Sequence, residues 1–519
     1  MQKETSILWV DDEIDLLKPH IIFLESKGYK VDTINNGSDA IEMVSHNQYD
    51  MVFLDENMPG LNGLETLAQI KKIRNSLPII MITKSEEEFI MDEAIGAQIA
   101  DYLIKPVNPM QILMTIKKIT DQRRLVSEKT TMNYQSQFND LGIEINGATT
   151  ADDWKAIHKK LAFWTLELQN NGIGSMEQIL QMQKSEADKR FVRYIISNYE
   201  GWFANHSDEA PILSPNMFKN KVFPLLNRGE QVVVVVIDNL RFDQWKCIEP
   251  MIASYYNVED EDILFSILPT STQFARNAMF AGLMPSEIEK LHPDLWVNED
   301  EDGAKNNFEK ELLQKQMDRM GVKAGLFYDK IHNAERSQKL ANDLNEIMHN
   351  QLSTLIINFV DMLSHARTES QMIRELAADE KSYRSITKSW FEHSSLFELM
   401  KTLSSKNIRL VLTADHGAIR VTNPIKVIGE RDVTSNLRYK QGRNLDYNPR
   451  EVYEIRNPQT IHLPRLNVST SYIFATNSDF FAYPNNYNYY VQYFRNTFQH
   501  GGISMDEIMV PLITLSPKK

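Results

Sequence analysis

Three carboxylates in the second half of the sequence each lie at the end of a largely apolar run. They are Asp238, Asp361 and Asp415, and His365 and His416 lie close behind two of them. In a parallel sheet, polar residues at the carboxyl ends of the strands converge on one crevice. Carboxylate and imidazole groups gathered in this way are suited to Zn²⁺, with Mn²⁺ as an alternative. The pattern therefore predicts a two-metal site assembled from distant segments.

The spacing of the histidines indicates the same site. Asp361 and His365 lie one turn apart if a helix starts after Asp361. Asp415 and His416 project two potential ligands from one strand end, and His500, which two glycines follow, offers a further imidazole from a flexible loop. The remaining histidines have no such neighbours, and we interpret them as structural.

A hydroxyl that could attack phosphorus lies in the run Thr270, Ser271 and Thr272, which follows an apolar segment and precedes a predicted helix. A hydroxyl beside a metal ion can lose its proton and become a nucleophile. The amino terminus of a helix also favours an incoming phosphate. Taken alone, the run is more typical of an ordinary helix N-cap, and only the surrounding candidate metal ligands favour a nucleophile.

A different constellation occupies the front of the chain. Asp11 and Asp12 follow the first apolar run, Asp55 and Thr83 end later ones, and Lys105 follows the last. Phosphoryl transfer to a carboxylate requires a divalent cation to offset the repulsion between oxyanions. The three aspartates would hold Mg²⁺, which prefers oxygen ligands. Lys105 would pair with the phosphoryl oxygens and Thr83 would donate its hydroxyl, so the pattern predicts phosphorylation of Asp55.

The elements that must position these groups fall into three segments. Short apolar runs alternate with helical patterns over residues 1–125, which predicts a doubly wound (βα)5 domain. Residues 126–212 repeat apolar positions at intervals of three and four, which predicts a helical linker bundle. Residues 213–519 alternate strands and helices again, as in an α/β domain.

Two segments near the end of the chain have features of their own. Residues 510–515 are apolar but include Pro511, which favours an edge strand. Residues 484–494 are rich in asparagine and tyrosine. The tyrosines could stack nucleobases, or they could be the buried aromatics of an edge strand.

Composition excludes several classes of protein. The 519 residues carry a net charge of −14 and a pI near 5.4, which argues against a general nucleic-acid binder. No basic recognition helix is evident in the helical segment. The single cysteine, Cys247, is typical of a reducing compartment. The sequence shows neither a signal peptide nor a stretch near the roughly 20 apolar residues of a membrane helix, so we expect a cytoplasmic protein with no membrane span.

The first 122 residues resemble the receiver domain of two-component response regulators. The resemblance rests on the acidic pair, the acceptor Asp55, the turn Met58-Pro59-Gly60, the switch residue Thr83 and the Lys105-Pro106 pair. It implies Tyr102 as the switch aromatic and Asn57 as a further magnesium ligand. It also implies a sensor histidine kinase as partner and a phosphorylation-dependent homodimer formed through the face between Thr83 and Gln111.

The second half resembles the PglZ domain of the alkaline phosphatase superfamily. The order of Asp, Thr, Asp-x-x-x-His, Asp-His and His-Gly-Gly carries this resemblance. It implies two zinc ions per chain, one held by Asp361, His365 and His500, the other by Asp238, Asp415, His416 and the nucleophile. It favours Thr272 as that nucleophile, because related phosphodiesterases have a Thr-x-Thr pattern with a loop glycine ten residues later, here Gly282. Ser271 and Thr270 stay open as alternatives.

Two further positions follow from this second resemblance. Arg241 and Asp243 belong to a segment similar to the PglZ signature, and they either shape the site or form a structural ion pair. Related enzymes often have an asparagine three residues after the nucleophile, where this chain has Ala275. Arg276 and Asn277 are the candidates to replace that asparagine.

The whole chain resembles a family of response regulators associated with type IX secretion and gliding motility in Bacteroidetes. The implied partners are a sensor kinase, a secretion-machinery protein and a sigma factor. The leading hypothesis is a phosphorylation-controlled, zinc-dependent phosphodiesterase that acts on nucleotides or oligonucleotides by in-line attack of Thr272. The alternatives are a catalytically vestigial metal-binding module that acts through protein partners, and a transcription regulator that binds duplex DNA.

Overall fold

The computed structural model describes residues 5–84, 99–204, 210–299, 301, 303–331, 334–342, 344–429 and 436–518. The chain forms two compact units, Met1–Thr130 and Thr131–Lys519. Over the described residues, none of the helices combines the length and apolar character that crossing a membrane requires. Residues 205–209, near the end of the predicted helical linker bundle, lie outside the described residues.

The first unit is built around a five-stranded parallel sheet in the order β2-β1-β3-β4-β5. Its strands are β1 (Ser6–Val10), β2 (Lys30–Ile34), β3 (Met51–Asp55), β4 (Ile79–Thr83) and β5 (Asp101–Ile104). Its helices are α1 (Lys18–Ser26), α2 (Gly37–His46), α3 (Gly63–Ile73) and the first part of α4 (Pro109–Gly147). A short 3₁₀ helix, Ile14–Leu17, precedes α1.

Alternation along the strands builds a core on each face of this sheet. Leu8 and Val10 pack with residues of α2 and α3, whereas Ile7 and Trp9 pack with residues of α1 and α4. Successive side chains of a strand point to opposite faces, so a strand covered on both sides is apolar throughout. The predicted doubly wound (βα)5 domain is therefore confirmed.

The helices that follow pack against the second unit's sheet. They are α5 (Ala151–Asn170), α6 (Gly174–Asn198) and α7 (Gly201–Ala204). The ring of Trp154 lies 5.5 Å from that of Phe191, which lies 6.1 Å from that of Phe265. The helical segment thus shares one continuous core with the second unit's sheet, and the boundary between the two units lies inside α4, at Thr130–Thr131.

The second unit is organised by a six-stranded sheet in the order β7-β18-β10-β6-β9-β8. Its strands are β6 (Val232–Ile237), β7 (Tyr256–Phe265), β8 (Leu326–Ile331), β9 (Leu352–Ile357), β10 (Arg409–Thr413) and β18 (Met509–Pro517). The four strands β10, β6, β9 and β8 are parallel, and β18 runs antiparallel to both of its neighbours. Every residue of β6 and β9 is buried, as expected for strands covered on both faces.

The prediction of an edge strand near the carboxyl terminus was wrong, because β18 lies between β7 and β10. The proline is tolerated because pairing with β10 covers only Leu512–Leu515, so Pro511 has β7 alone as a paired neighbour. Its carbonyl oxygen accepts a hydrogen bond from Thr413 Oγ1 at 2.8 Å. Proline has no backbone N–H group, so it can lie within a strand where no neighbouring strand depends on a hydrogen bond from that position.

Short helices connect the strands of the second unit. They are α8 (Phe223–Asn227), α9 (Phe242–Ile252), α10 (Asn277–Ala281), α11 (Pro285–Leu291), α12 (Glu309–Met320), α13 (Ala334–Asn342), α14 (Asn345–His349), α15 (Phe359–Glu369), α16 (Gln371–Leu376), α17 (Glu380–Glu392) and α18 (Ser395–Ser405). Two π-helical turns, Phe218–Val222 and Thr272–Arg276, precede α8 and α10. Short 3₁₀ helices lie at Ser214–Asn216, Pro293–Leu295 and Pro458–Ile461.

A subdomain of small sheets is inserted between the segments that carry His416 and His500. Its elements are β11 (Ile419–Arg420), β12 (Asn423–Lys426), β13 (Tyr439–Gly442), β14 (Val452–Ile455), β15 (Ser471–Ala475), β16 (Asp479–Ala482), α19 (Tyr487–Phe494) and β17 (Phe498–Gln499). The helix α20 (Met505–Ile508) then leads into β18. The tyrosine-rich segment forms α19, so its interpretation as an edge strand was wrong.

Candidate two-metal site and receiver site

The three acid-bearing segments follow neighbouring strands at the centre of the second unit's sheet. Asp238 comes directly after β6, Asp361 lies in the first turn of α15 after β9, and Asp415 lies just beyond β10. The register pairs Val236 of β6 with both Thr413 and Ile356. Because the strands are parallel and in register, their carboxyl ends meet at one edge of the sheet.

The structure brings together one group of potential ligands, Asp238, Asp415 and His416, in the protein interior. Nε2 of His416 lies 3.7 Å from Oδ1 of Asp238 and 3.7 Å from Oδ2 of Asp415. Arg276, which is fully buried, forms ion pairs with both carboxylates, and its Nε donates to Oδ2 of Asp415 at 3.0 Å. Arg276 therefore offsets part of the negative charge that these carboxylates concentrate.

The second group is Asp361, His365 and His500, nearer the surface. Nε2 of His365 lies 3.5 Å from Oδ2 of Asp361, and Nε2 of His500 lies 3.6 Å from Oδ1 of the same residue. The side chain of His365 is 62% exposed, so this group opens to solvent. The two groups adjoin, because the rings of His416 and His500 stack with centroids 4.2 Å apart. These are the two sets of histidine and carboxylate residues that the resemblance to the PglZ domain implies for separate metal ions.

Backbone carbonyls orient two of the imidazoles. Nδ1 of His500 lies 3.2 Å from the carbonyl oxygen of Thr270, and Nδ1 of His416 lies 3.2 Å from that of Gly417. A carbonyl oxygen can only accept, so each Nδ1 carries the hydrogen and donates it. In the neutral form of either ring, Nε2 then has a lone pair that faces the carboxylates. This arrangement around a histidine is typical of metal ligands.

Burial acts on the pKa values of the aspartates and of His500 in opposite directions. Burial raises the pKa of Asp238 well above its ordinary value against the opposing charge of Arg276, and Asp415 raises it further. Burial acts on Asp415 in the same direction, but Arg276 and His416 outweigh it and hold its pKa at about 2. Burial, together with the neighbouring His416, lowers the pKa of His500 to about 3. His500 is therefore neutral at physiological pH, which is the form that binds metal ions.

The hydroxyl of Thr272 lies within reach of the buried group. Thr272 begins the π-helical turn before α10, and its Oγ1 is 3.2 Å from Nε2 of His416. The hydroxyl of Thr270, in contrast, donates to the carbonyl oxygen of Gly502 and accepts from the N–H of Gly501, at 2.9 and 3.0 Å. Ser271 is almost fully buried, whereas Thr272 is half-buried. The geometry favours Thr272 among the three hydroxyls.

The candidates for the missing asparagine have other partners. The amide of Asn277 donates to the carbonyl oxygen of Lys305 at 2.9 Å, and Arg276 is paired with the two buried carboxylates. Ala275 is fully buried. Arg276 thus acts on the predicted metal ligands themselves.

Arg241 and Asp243 form an ion-pair network beside the site. Nε of Arg241 donates to Oδ1 of Asp243 at 2.9 Å, and Nη1 of Arg384 donates to Oδ2 of Asp243 at 2.7 Å. Glu380 lies 3.5 Å from both arginines. These contacts fit the interpretation of Arg241 and Asp243 as a structural ion pair.

Sequence reasoning missed Asn239, which contacts both groups. Its backbone N–H donates to Oδ1 of Asp415, and its Nδ2 donates to Oδ1 of Asp361 and to Oγ of Ser364, each at 3.3 Å. Its φ of 66° lies in the left-handed region, which asparagine tolerates better than most residues. An asparagine directly after a strand-end ligand is the signal that could have identified it.

The first unit has its own group of carboxylates, Asp11, Asp12 and Asp55. Nζ of Lys105 lies 2.9 Å from Oδ2 of Asp11 and 2.8 Å from Oδ1 of Asp55. Burial raises the pKa of Asp55, although Lys105 opposes that shift. Asp11 and Asp55 are buried while Asp12 is exposed, so the group is open to solvent on one side.

The predicted switch residues Thr83 and Tyr102 lie in neighbouring strands of the first sheet. Thr83 is the last residue of β4, and its hydroxyl donates to the carboxylate of Glu56. Tyr102, in β5, is 40% exposed, so its ring faces outward in this state. Asn57 is also exposed, two residues beyond Asp55.

Three family models match the chain. The model described as "BREX system PglZ alkaline phosphatase-like domain" matches residues 217–515, and the "Response regulator receiver domain" matches residues 7–117. A third, the "PorX response regulator linker domain", matches residues 124–203. The matches follow one another in the order of the three predicted segments.

Curated relatives and solved structures match a smaller part of the chain. The transcriptional regulatory protein ResD of Bacillus subtilis is 35% identical over 116 residues, which are 22% of this chain and 48% of ResD. A CpxR homolog of Haemophilus influenzae is 38% identical over 117 residues, 22% of this chain and 50% of the relative. The chain thus spans about half the length of these relatives. A CheY-like receiver domain protein from Methanospirillum hungatei is 27% identical and covers 24% of this chain and 98% of its own, with a TM-score of 0.23.

We predict that Asn239→Gly weakens zinc binding by about tenfold or more, because loss of a group that orients metal ligands typically has that effect. Glycine keeps the left-handed backbone and removes only the amide. Competition with a chromophoric chelator measures the affinity. Asn407→Gly, at another left-handed and exposed asparagine with φ of 58°, is the matched control. Equal zinc affinity in the two variants would contradict a role for Asn239 in the site.

Proposed function

The chain belongs to the PglZ alkaline phosphatase-like family and is a PorX-like response regulator with a receiver domain. We propose that it is a phosphodiesterase whose activity is controlled by phosphorylation of Asp55. The observation that carries the proposal is the approach of Thr272 Oγ1 to His416, inside two adjoining groups of metal-ligating side chains. Because the domain is alkaline phosphatase-like, phosphoester hydrolysis is the reaction that such a site favours.

The side chains fit a pair of zinc ions. Oδ1 of Asp238 is buried and has no hydrogen-bond partner among the described residues, although it lies 3.7 Å from Nε2 of His416. A buried carboxylate oxygen left in this state favours a cation as its partner. Two imidazoles turn their Nε2 atoms toward the carboxylates, and nitrogen with carboxylate oxygen is a ligand set that zinc accepts. Bound zinc supplies Lewis acidity, which promotes loss of the hydroxyl proton and offsets charge on phosphoryl oxygens.

The chain's own residues then define the reaction. Thr272 Oγ attacks phosphorus in line, a threonine–phosphorus ester forms, and the bond to the leaving alcohol breaks. The proton lost by the threonine is balanced by the proton that the leaving oxygen takes up. Water then cleaves the ester and restores the hydroxyl. Arg276 holds Asp238 and Asp415 in place throughout, since it is fully buried and paired with both.

The proposed substrates are nucleotides or oligonucleotides. Helix α19, which lies just before His500, carries two stacked aromatic pairs, Tyr489 with Tyr493 and Tyr490 with Phe494. Tyr489 is 63% exposed and Tyr490 is 39% exposed. Exposed aromatic rings stack nucleobases without reading their sequence. The guanidinium of Arg374 lies 5.3 Å above the ring of Tyr493, which adds positive charge beside the aromatic surface.

The proposed control acts through the receiver domain. A sensor histidine kinase would phosphorylate Asp55, and Lys105 is already paired with that carboxylate. The added charge would draw the hydroxyl of Thr83 away from Glu56 and turn Tyr102 inward, which changes the face used for a homodimer. Magnesium at Asp11, Asp12 and Asp55 would accompany the transfer. The proposed setting is type IX secretion and gliding, with a secretion-machinery protein and a sigma factor as partners.

Thr272→Val tests the nucleophile. It should lower hydrolysis of phosphodiesters by on the order of a thousandfold or more, since the attacking oxygen is gone. It should keep two zinc ions per chain, because every histidine and aspartate ligand remains. Ser271→Ala is the control and should retain hydrolysis. A wild-type chain that binds zinc and hydrolyses no diester supports the alternative of a vestigial metal-binding module.

Phosphorylation of Asp55 should increase the dimeric fraction and change the rate of diester hydrolysis, because a phosphoryl group adds about −1.5 to −2 charges at the switch. Light scattering and a hydrolysis assay with and without a phosphate mimic measure both effects. In the Asp55→Asn variant, the phosphate mimic should change neither the dimeric fraction nor the rate of hydrolysis. The proposed control fails if the mimic leaves the wild-type oligomeric state and rate unchanged.

Replacing both Tyr489 and Tyr490 with alanine should raise the KM for a dinucleotide about fivefold or more, because stacking contributes about 1–3 kcal/mol per base. The rate for a small diester without a base should not change. Phe163→Ala, which removes another exposed aromatic ring on helix α5, is the control. A KM that rises equally for both substrates would contradict base stacking.

A further inference from the structure

Glu507, in helix α20, is a fully buried carboxylate outside both groups of predicted metal ligands. Its Oε1 accepts from the N–H of Gly502 at 2.9 Å, and its Oε2 accepts from Oγ of Ser504 at 2.6 Å. Arg438, also fully buried, donates to both oxygens at 3.0 and 2.6 Å. These four hydrogen bonds fix the orientation of the carboxylate.

The same residue binds the loops of two predicted ligands. Its carbonyl oxygen accepts from the N–H of Gly417, the residue after His416, at 3.0 Å. Its carboxylate binds Gly502, two residues after His500. His416 and His500 belong to different groups and are separated in sequence by the whole inserted subdomain. Glu507 is therefore a single point at which both histidine-bearing loops are held.

Gly417 is packed closely against α20, and Gly502 is packed closely against β15 and Arg438. A Cβ atom on Gly417 would lie 2.0 Å from the carbonyl oxygen of Asp506, and one on Gly502 would lie 2.4 Å from that of Ala475. Such distances leave no space for a side chain at either position. A displacement of α20 would therefore move the Gly417 loop directly, and it would act on the Gly502 loop through the hydrogen bond to Glu507.

We propose that Glu507 is a positioning residue for both groups of predicted metal ligands. It holds the backbone beside His416 and His500 so that the Nε2 atoms of the two histidines converge. This inference extends the proposed function and rests on it only where metal affinity is concerned. The hydrogen bond to Gly502 sets the position of the His500 loop, while Arg438 compensates the buried charge. Groups that orient metal ligands affect metal affinity by about 10- to 100-fold when removed.

The helical segment also contacts this point. Oδ1 of Asp188, in helix α6, accepts from the N–H of Met505 at 2.7 Å. Met505 begins the helix that carries Glu507. The turn that positions both loops therefore lies where the helical segment meets the metal-binding unit.

Two double variants separate positioning from charge. Glu507→Gln with Arg438→Met removes the buried charge pair but keeps an amide oxygen for the N–H of Gly502. Glu507→Met with Arg438→Met has nearly the same size and no acceptor. Zinc affinity of the first pair should stay within about threefold of the wild type, and that of the second should fall about tenfold or more. Chelator competition measures both, and amide hydrogen exchange at Gly502 and Gly417 in metal-free protein gives an independent readout.

The proposal is supported if amide exchange is faster and zinc binding weaker in the variant with Glu507→Met and Arg438→Met, but not in the variant with Glu507→Gln and Arg438→Met. Equal exchange and equal zinc affinity in the two double variants would overturn it. A wild-type chain that binds no zinc overturns the proposed function instead, and the exchange comparison still tests Glu507. If neither double variant folds, Ser504→Ala removes one donor from the carboxylate, and unchanged exchange at Gly502 in that variant also counts against the proposal.

Discussion

The concentration of negative charge at the carboxyl ends of three adjacent strands is the constraint on which the second unit depends. Asp238 and Asp415 are buried together, and burial of like charges is strongly unfavourable without compensation. Arg276 supplies part of that compensation, and in the part of the chain that the structure describes Oδ1 of Asp238 still lacks a hydrogen-bond partner. A pair of metal ions would complete the balance, since Nε2 of His416 and Nε2 of His500 lie near the carboxylates.

The rest of the unit serves to place side chains around that charge. The parallel strands bring the aspartates to one edge, the π-helical turn presents Thr272, and the turn of α20 holds both histidine loops. The helices of residues 131–204 share the core of this unit. A rearrangement of those helices would therefore act on the histidine-bearing loops through packed contacts and the hydrogen bond between Asp188 and Met505.

The sequence predicted the parts of this arrangement that depend on strand ends. Apolar runs with terminal acids identify parallel strands, so Asp238, Asp361 and Asp415 could be placed at one edge of the sheet before the structure was known. The division of the histidines between two groups was implied by the resemblance to the PglZ domain. It could not predict Asn239 or Glu507, because their roles depend on contacts between residues distant in the chain. It misplaced β18 because a proline favours an edge, whereas pairing with β10 begins only after Pro511. The tyrosine-rich segment was ambiguous because aromatic residues suit both strands and helices, and it forms α19.

The central claim is that two zinc ions bind side by side at the ends of β6, β9 and β10. Crystals of the full chain grown with zinc and measured at the zinc absorption edge test it directly. We predict two anomalous peaks per chain about 4 Å apart, as in other two-metal sites. One peak should lie among Asp238, Asp415 and His416, and the other among Asp361, His365 and His500. A single peak, or zinc bound elsewhere in the unit, would contradict the account.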